Sequence, residues 1–147
     1  MDLGLRFKKI NDMMQKHANR ELEKVGLTFS QHHVLLYLSQ CEKQEASLKS
    51  LEKAAGVAQS TMAGIVMRLE DKGYVKPCFD EADRRIKKVR LSKAGKKICE
   101  NAKRGFRKGD EVTRSGLSES EQNELERLLD QVYLSLKAHD EGKEETR

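Results

Sequence analysis

Three polar side chains in a row, Gln59, Ser60 and Thr61, stand where an amphipathic stretch begins. Such residues in the first turn of a helix carry hydrogen-bonding chemistry. Glutamine pairs bidentately with adenine, and serine or threonine hydroxyls serve several bases. The helix N-terminus adds backbone N–H groups and positive dipole, which suit phosphate. The plainer reading of Ser60 and Thr61 is as first-turn capping residues. Arg68 lies further along the same stretch, on its exposed side. Arg84, Arg85, Lys87 and Lys88 then open a strongly basic block. Residues 84–108 hold 12 basic side chains against one acidic, Glu100, for a net +11. Residues 1–83 balance to zero, and residues 109–147 carry −6. A block that basic points to a polyanion, with a solvated helix face as the alternative.

Other chemistries find little support. There is no Gly-rich phosphate loop, no G-x-S-x-G and no HExxH, so an enzyme is not expected. A length of 147 residues leaves no room for a second catalytic domain. His32 and His33 are adjacent rather than spaced i, i+4, so neither a metal site nor a cofactor is expected. Cys41, Cys78 and Cys99 are odd in number, widely spaced and outside any CxxC pair. They read as reduced thiols in a cytoplasmic protein and as small hydrophobes, since redox sensing needs an exposed thiol of low pKa. The N-terminal residues lack a long apolar run, so neither a signal peptide nor a membrane span is expected.

These side chains need elements to position them. Hydrophobic residues make up 37 % of the chain and charged residues 36 %, and Pro77 is the single proline. That composition favours a mainly helical protein with a thin core. Phe7, Ile10, Met13, Met14, His17, Leu22 and Val25 recur at helical spacing over about 5–25, with Gly26 as stop. Thr28 to Gln31 is a capping box opening a second helix with Val34, Leu35 and Leu38 inward. The stretch 42–46 reads as a polar loop. Ser47 caps a short third helix, Gly56 breaks it, and a fourth helix runs from about Gln59 to Lys72 with Met62, Ile65, Val66 and Leu69 inward. Helix, tight glycine-containing turn, helix over about 47–73 is helix-turn-helix spacing.

Residues 75–80 read as a strand, which Pro77 places at an edge. Residues 81–84 read as a charged turn and 85–91 as a second, half-exposed strand. Together they make a wing over about 75–91. Ser92 caps a long helix to about Arg114, weakened by Gly95, Gly105 and Gly109, each by roughly 1 kcal/mol relative to alanine. Ser118 to Glu121 is another capping box. It opens a last helix to about Ala138 with Leu125, Leu128, Leu129, Val132 and Leu136 inward. Residues 140–147 are expected to form a frayed polar tail. The fold class is mainly α with a small β-wing: a winged helix-turn-helix with terminal helices. The surplus apolar face of those helices is most simply buried against a second copy of the chain.

Four motifs in order then carry a resemblance. They are Leu27-Thr28-Phe29-Ser30-Gln31, then Leu51 to Thr61 across the helix-turn-helix. Arg68-Leu69-Glu70-Asp71-Lys72-Gly73-Tyr74-Val75 follows, and last come Asp83-Arg84-Arg85 with Leu91-Ser92-Lys93-Ala94-Gly95. Together they resemble the MarR family of bacterial transcriptional regulators, over about residues 5–138. The resemblance implies one domain over 1–139, dimerisation helices over about 5–25 and 93–138, and a homodimer. It further implies a pseudo-palindromic promoter site in double-stranded DNA, commonly repression, and often relief by a small aromatic ligand or an oxidant.

On that resemblance Gln59, Ser60 and Thr61 face the major groove, Arg68 a phosphate, and Arg85 the minor groove. A narrow A·T-rich minor groove suits guanidinium. Asp83 would orient Arg85 or the wing backbone, while Arg84, Lys87 and Lys88 stand within phosphate range. Two positions depart from the family pattern: Ala58 offers no cap to the fourth helix, and Gly64 offers no side chain. The lobe is therefore expected to lean on shape and on wing contacts. A ligand cleft would draw on Met13, Met14, His17, His33, Tyr37 and Phe106, which otherwise serve as ordinary packing. Oxidant-sensing relatives carry a cysteine in the first helix, and this chain has none there. The rival to DNA binding is a winged helix used for protein–protein assembly.

Overall fold

The computed structural model describes residues 2–144. Among these, six α-helices and three strands follow in order: α1 (Leu3–Lys24), α2 (Phe29–Gln40), β1 (Glu45–Ser47), α3 (Leu48–Ala55), α4 (Gln59–Asp71), β2 (Val75–Phe79), β3 (Lys87–Leu91), α5 (Lys93–Arg114) and α6 (Glu119–Glu144). The chain divides into two compact units, one ending at Gly109 and one beginning at Asp110.

In the first unit, local chemistry sets the helix ends. Asp2 caps α1 by accepting from the Leu5 N–H at 2.7 Å. Gly26, at φ +71°, supplies the left-handed residue after the helix, a conformation that costs glycine little. The capping box of α2 is complete. Thr28 Oγ1 accepts from the Gln31 N–H and Gln31 Oε1 accepts from the Thr28 N–H, each at 3.2 Å. Lys72, just after α4, donates to the same Gln31 Oε1 at 3.0 Å and to the Gly26 carbonyl at 2.5 Å. One lysine thereby ties the end of α4 to the start of α2. Ser47 caps α3 through the Ser50 N–H at 3.1 Å.

The core lies where α2, α3, α4 and the sheet meet. Leu22, Leu35, Leu38, Leu51, Met62, Leu69 and Val75 are its fully buried large side chains. Each such burial is worth roughly 1.5–3 kcal/mol. The inward residues expected of α2 and α4 are all buried. On α5, Ala102 is buried, while Ile98 and Phe106 pack half-buried against the core.

α4 starts without a cap, since Ala58 has no side-chain oxygen and none takes its place. The Ala58→Ser change is expected to raise the unfolding free energy by about 1 kcal/mol, read from urea denaturation. An unchanged midpoint would mean that the first N–H groups of α4 are already satisfied.

The sheet corrects the sequence reading in one place. The stretch 42–46, expected as a loop, holds a single 3₁₀ turn (Glu42–Gln44) and then β1. β1 pairs antiparallel with β3, Glu45 opposite Arg90 and Ser47 opposite Lys88. β3 also pairs with β2, Val75 opposite Leu91 and Phe79 opposite Lys87. The order β1-β3-β2 leaves β2 at an edge, as Pro77 requires. The wing strands are one or two residues shorter than expected, 75–79 and 87–91. Alternation puts Val75, Val89 and Leu91 on the core side and Glu45, Lys88 and Arg90 on the other.

Ser92 knots the exit of the wing. Its N–H donates to the Tyr74 carbonyl at 3.0 Å, its hydroxyl donates to the Gly73 carbonyl at 2.6 Å, and its Oγ accepts from the Gly95 N–H at 3.0 Å. The three glycines of α5 sit at close approaches. A Cβ on Gly95 would lie 2.1 Å from the Tyr74 carbonyl oxygen, one on Gly105 2.5 Å from the Glu21 carboxylate, and one on Gly109 2.6 Å from the His17 ring.

In the second unit, Ser118 and Glu121 form the expected capping box, with the Ser118 N–H donating to Glu121 at 2.8 Å and the Glu121 N–H donating to Ser118 Oγ at 3.3 Å. Arg114 pairs with Asp110 at 2.8 Å and Glu126 at 2.5 Å. α6 continues to Glu144, past the stop expected near Ala138, so most of the expected frayed tail is helix; residues 145–147 lie outside the described residues. Leu125, Leu128, Leu129, Val132 and Leu136, expected inward, are exposed on the single chain. So are Phe7, Ile10, Met13 and Met14 of α1, where only Leu22 is buried. No helix among the described residues is long and apolar enough to cross a membrane.

Candidate nucleic-acid interface

The N-terminal turn of α4 presents Gln59, Ser60 and Thr61, all exposed. Their side chains are free to project because the buried stripe Met62, Ile65, Val66 and Leu69 holds the opposite side of the helix. Arg68 is exposed on the same helix. Gly64 leaves a gap on the outer face, where a Cβ would meet nothing nearer than the Arg68 guanidinium at 3.8 Å. Ala63 and Met67, which the sequence reading passed over, are exposed beside that gap. Ser60, Ala63, Gly64 and Met67 share the 0, 3, 4, 7 spacing that places them on one face of the helix.

The wing turn is built by two aspartates. Asp80 Oδ1 accepts from the N–H groups of Ala82 at 2.9 Å and Asp83 at 3.0 Å. Those two N–H bonds, with Lys88 beyond them, hold the Asp80 carboxyl below the usual carboxylate range. Asp83 then grips Arg85 at both ends, with Nε to Oδ1 at 3.0 Å and Nη2 to Oδ2 at 3.1 Å. The Arg85 side chain, then the Arg85 N–H, lower the Asp83 pKa. Despite this bidentate grip the Arg85 side chain is 92 % exposed. The guanidinium is aimed but uncovered. Arg84 and Lys87 are exposed beside it.

Lys88 departs from expectation. Its side chain is only 21 % exposed, and its ammonium lies 3.3 Å from Asp80 and 3.4 Å from Glu45. It is an internal ion-pair partner, not a free phosphate contact. The sequence alone gave no sign of this, because Glu45 reaches it from a strand too short to show a period.

Of the residues expected to line a ligand cleft, two share a cavity. His33 and Tyr37 line a space of about 80 Å³ between α2 and α3, with Val34, Leu51, Ala54 and Ala55. His17 lies against Gly109, Phe106 packs on His32 with ring centroids 5.0 Å apart, and Met13 is exposed. Burial, and then the neighbouring His33, push the His32 pKa down. Folded protein then binds protons less readily at His32 than unfolded chain does. The stability this gives is complete above the unfolded pKa, near 6.5, and is lost as pH falls below it. The unfolding free energy is expected to drop between pH 7.5 and 5.5, and to drop less in His32→Gln. Equal slopes in the two proteins would exclude His32 as the cause.

The three cysteines are free and half-buried. Burial pushes the Cys78 and Cys99 thiols up, with Glu45 and Glu100 adding to it.

Residues 25–86, spanning α2 to the wing turn, match the profile of the MarR family. The chain is 26 % identical to the transcriptional repressor IacR of Pseudomonas putida, over 87 % of this chain and 75 % of that protein. It superimposes on the Staphylococcus aureus MepR–DNA complex with a TM-score of 0.74 at 25 % identity, over 92 % of this chain and 98 % of that one. The chain belongs to the MarR family. MarR-family proteins are DNA-binding transcriptional regulators and not enzymes, and the helix-turn-helix and wing described above are the parts of this member that fit that work. A further relative, the transcriptional activatory protein BadR of Rhodopseudomonas palustris, is 31 % identical over 67 % of this chain and 57 % of its own length.

Proposed function

We propose that this chain acts as a homodimer that binds a pseudo-palindromic promoter site and represses transcription from it. Gln59, Ser60 and Thr61 read base edges in the major groove, and Arg68 holds a phosphate. Arg85, aimed by Asp83, enters the adjacent minor groove, and Arg84 and Lys87 neutralise phosphates. The observation that carries this reading is the pinned yet exposed Arg85 on a hairpin that follows an exposed helix N-terminus. Arg84 and Lys87 stand exposed beside it, and such a cluster of like charge suits a polyanion better than a protein partner.

Two chains support one another in this reading through the apolar rows of α1 and α6, which a lone chain leaves in solvent. One lobe then meets each half-site, with half-sites about one helical turn apart. Release by a small aromatic or anionic effector belongs to the same proposal and is tested by titrating simple aromatic carboxylates into the complex.

Selection of bound duplexes from a random pool, followed by footprinting upstream of the protein's own gene, tests the proposal. Enrichment of an inverted repeat is expected, with affinity falling steeply between 50 and 200 mM salt as counterions are released. No enrichment, or a flat salt titration, would overturn it and leave the assembly reading.

A further inference from the structure

The root of the wing holds a carboxylate among cations that the charge pattern alone would assign to DNA. Glu45 lies on β1, opposite Arg90 on β3, and its side chain is only 10 % exposed. Glu45 Oε2 accepts from Arg90 Nε at 2.9 Å and Nη2 at 2.5 Å. Glu45 Oε1 accepts from Lys88 Nζ at 3.4 Å. The same Lys88 ammonium reaches Asp80 at 3.3 Å, and Asp80 builds the turn that delivers Asp83 and Arg85. An unbroken line of ion pairs and hydrogen bonds thus runs from β1, which leads directly into α3, through β3 to the tip of the wing.

We infer that Glu45 is a positioning residue for the wing and the internal counterion of Lys88 and Arg90. It withdraws the charge of Lys88, and part of that of Arg90, whose side chain stays 52 % exposed, from phosphate and so favours the right site over any site. Phosphate contacts add affinity without sequence information, so cations left free at the wing root would strengthen binding to every duplex alike. Cations committed to Glu45 instead fix the strand that carries the groove-reading arginine. The inference rests on the DNA-binding reading above.

The test compares wild type, Glu45→Gln, Lys88→Met and Lys87→Met in salt titrations. Each binds the selected operator and a scrambled duplex of equal length, after thermal melts confirm folding. Glu45→Gln is expected to bind scrambled duplex roughly tenfold tighter and to lose about tenfold in the operator-to-scrambled ratio. Its plot of log affinity against log salt should steepen by about one to two. Lys87→Met should flatten that slope by about one, and Lys88→Met should leave it unchanged. A change of stability alone would move none of these slopes. If Glu45→Gln does not fold, the contrast between Lys88→Met and Lys87→Met decides. A wild-type slope and ratio in Glu45→Gln, or a slope loss in Lys88→Met equal to that in Lys87→Met, overturns the inference and leaves DNA binding standing. A wild-type protein that enriches no duplex overturns both.

Discussion

The Arg85→Ala protein should bind its operator roughly tenfold to a hundredfold more weakly than wild type while melting at the same temperature. The reason lies in what Arg85 does and does not touch. Among the described residues its side chain bonds to Asp83, through two hydrogen bonds of 3.0 and 3.1 Å, and is 92 % exposed. An exposed pair of that kind adds little to folding. In a narrow minor groove the same guanidinium meets concentrated negative potential, and its pairing with Asp83 favours one orientation beforehand. The Asp83→Asn change keeps the arginine but loosens its aim, so its effect should be smaller and fall mainly on the operator rather than on scrambled duplex. Fluorescence anisotropy at fixed salt measures both. Wild-type affinity in Arg85→Ala would remove Arg85 from the groove and leave α4 as the principal reader.

The second large effect concerns folding. Gly95→Ala should lower the unfolding free energy by about 3 kcal/mol. The added methyl would stand 2.1 Å from the Tyr74 carbonyl oxygen and 2.8 Å from Leu91. The carbonyl cannot swing aside without releasing Ser92, whose N–H it accepts. The start of β2 and the start of α5 would have to separate. Gly105→Ala meets the Glu21 carboxylate at 2.5 Å and its Cβ at 3.1 Å, and Gly109→Ala meets the His17 ring. The carboxylate and the ring can rotate and no backbone atom stands in the way, so the helix propensity gained by losing glycine offsets more of the cost. Urea denaturation of the three variants should therefore rank Gly95→Ala well below the other two. Equal midpoints would mean that the junction at Tyr74 yields freely.

Local signals made most of this fold legible. The capping boxes at Thr28 and Ser118, the caps at Ser47 and Ser92, and the stops at Gly26 and Gly56 are properties of a few adjacent residues. The helical spacing of Met62, Ile65, Val66 and Leu69 is likewise local. What stayed hidden depends on partners distant in the chain. β1 has three residues, too few to display alternation, and exists because Arg90 and Lys88 lie across from it. Lys43 and Gln44, at φ +54° and +55°, bend the chain into that strand without glycine to announce it. Lys88 reads as one more cation in a basic run, and only pairing with Glu45 and Asp80 shows otherwise. The glycines of α5 look like weak points until the opposing atoms are known. The set proposed to contact DNA, from Gln59 to Lys87, was readable as residue types. The difference between an aimed cation, Arg85, and a neutralised one, Lys88, was not.

Under the proposed homodimer, the leucine rows of α6 bear on the interval between synthesis and pairing. A chain that is still alone carries these side chains in water, and a naked apolar helix of that length would invite aggregation. This one intersperses carboxylates and bases among the leucines, and several already pair along the helix, Arg127 with Glu124 at 2.6 Å and Lys137 with Glu141 at 3.7 Å. Such pairs act as gatekeepers. They support helical order by a few tenths of a kcal/mol each without any second chain. The helix can therefore remain ordered and dispersed while unpaired, so its leucine rows can be both sticky and safe.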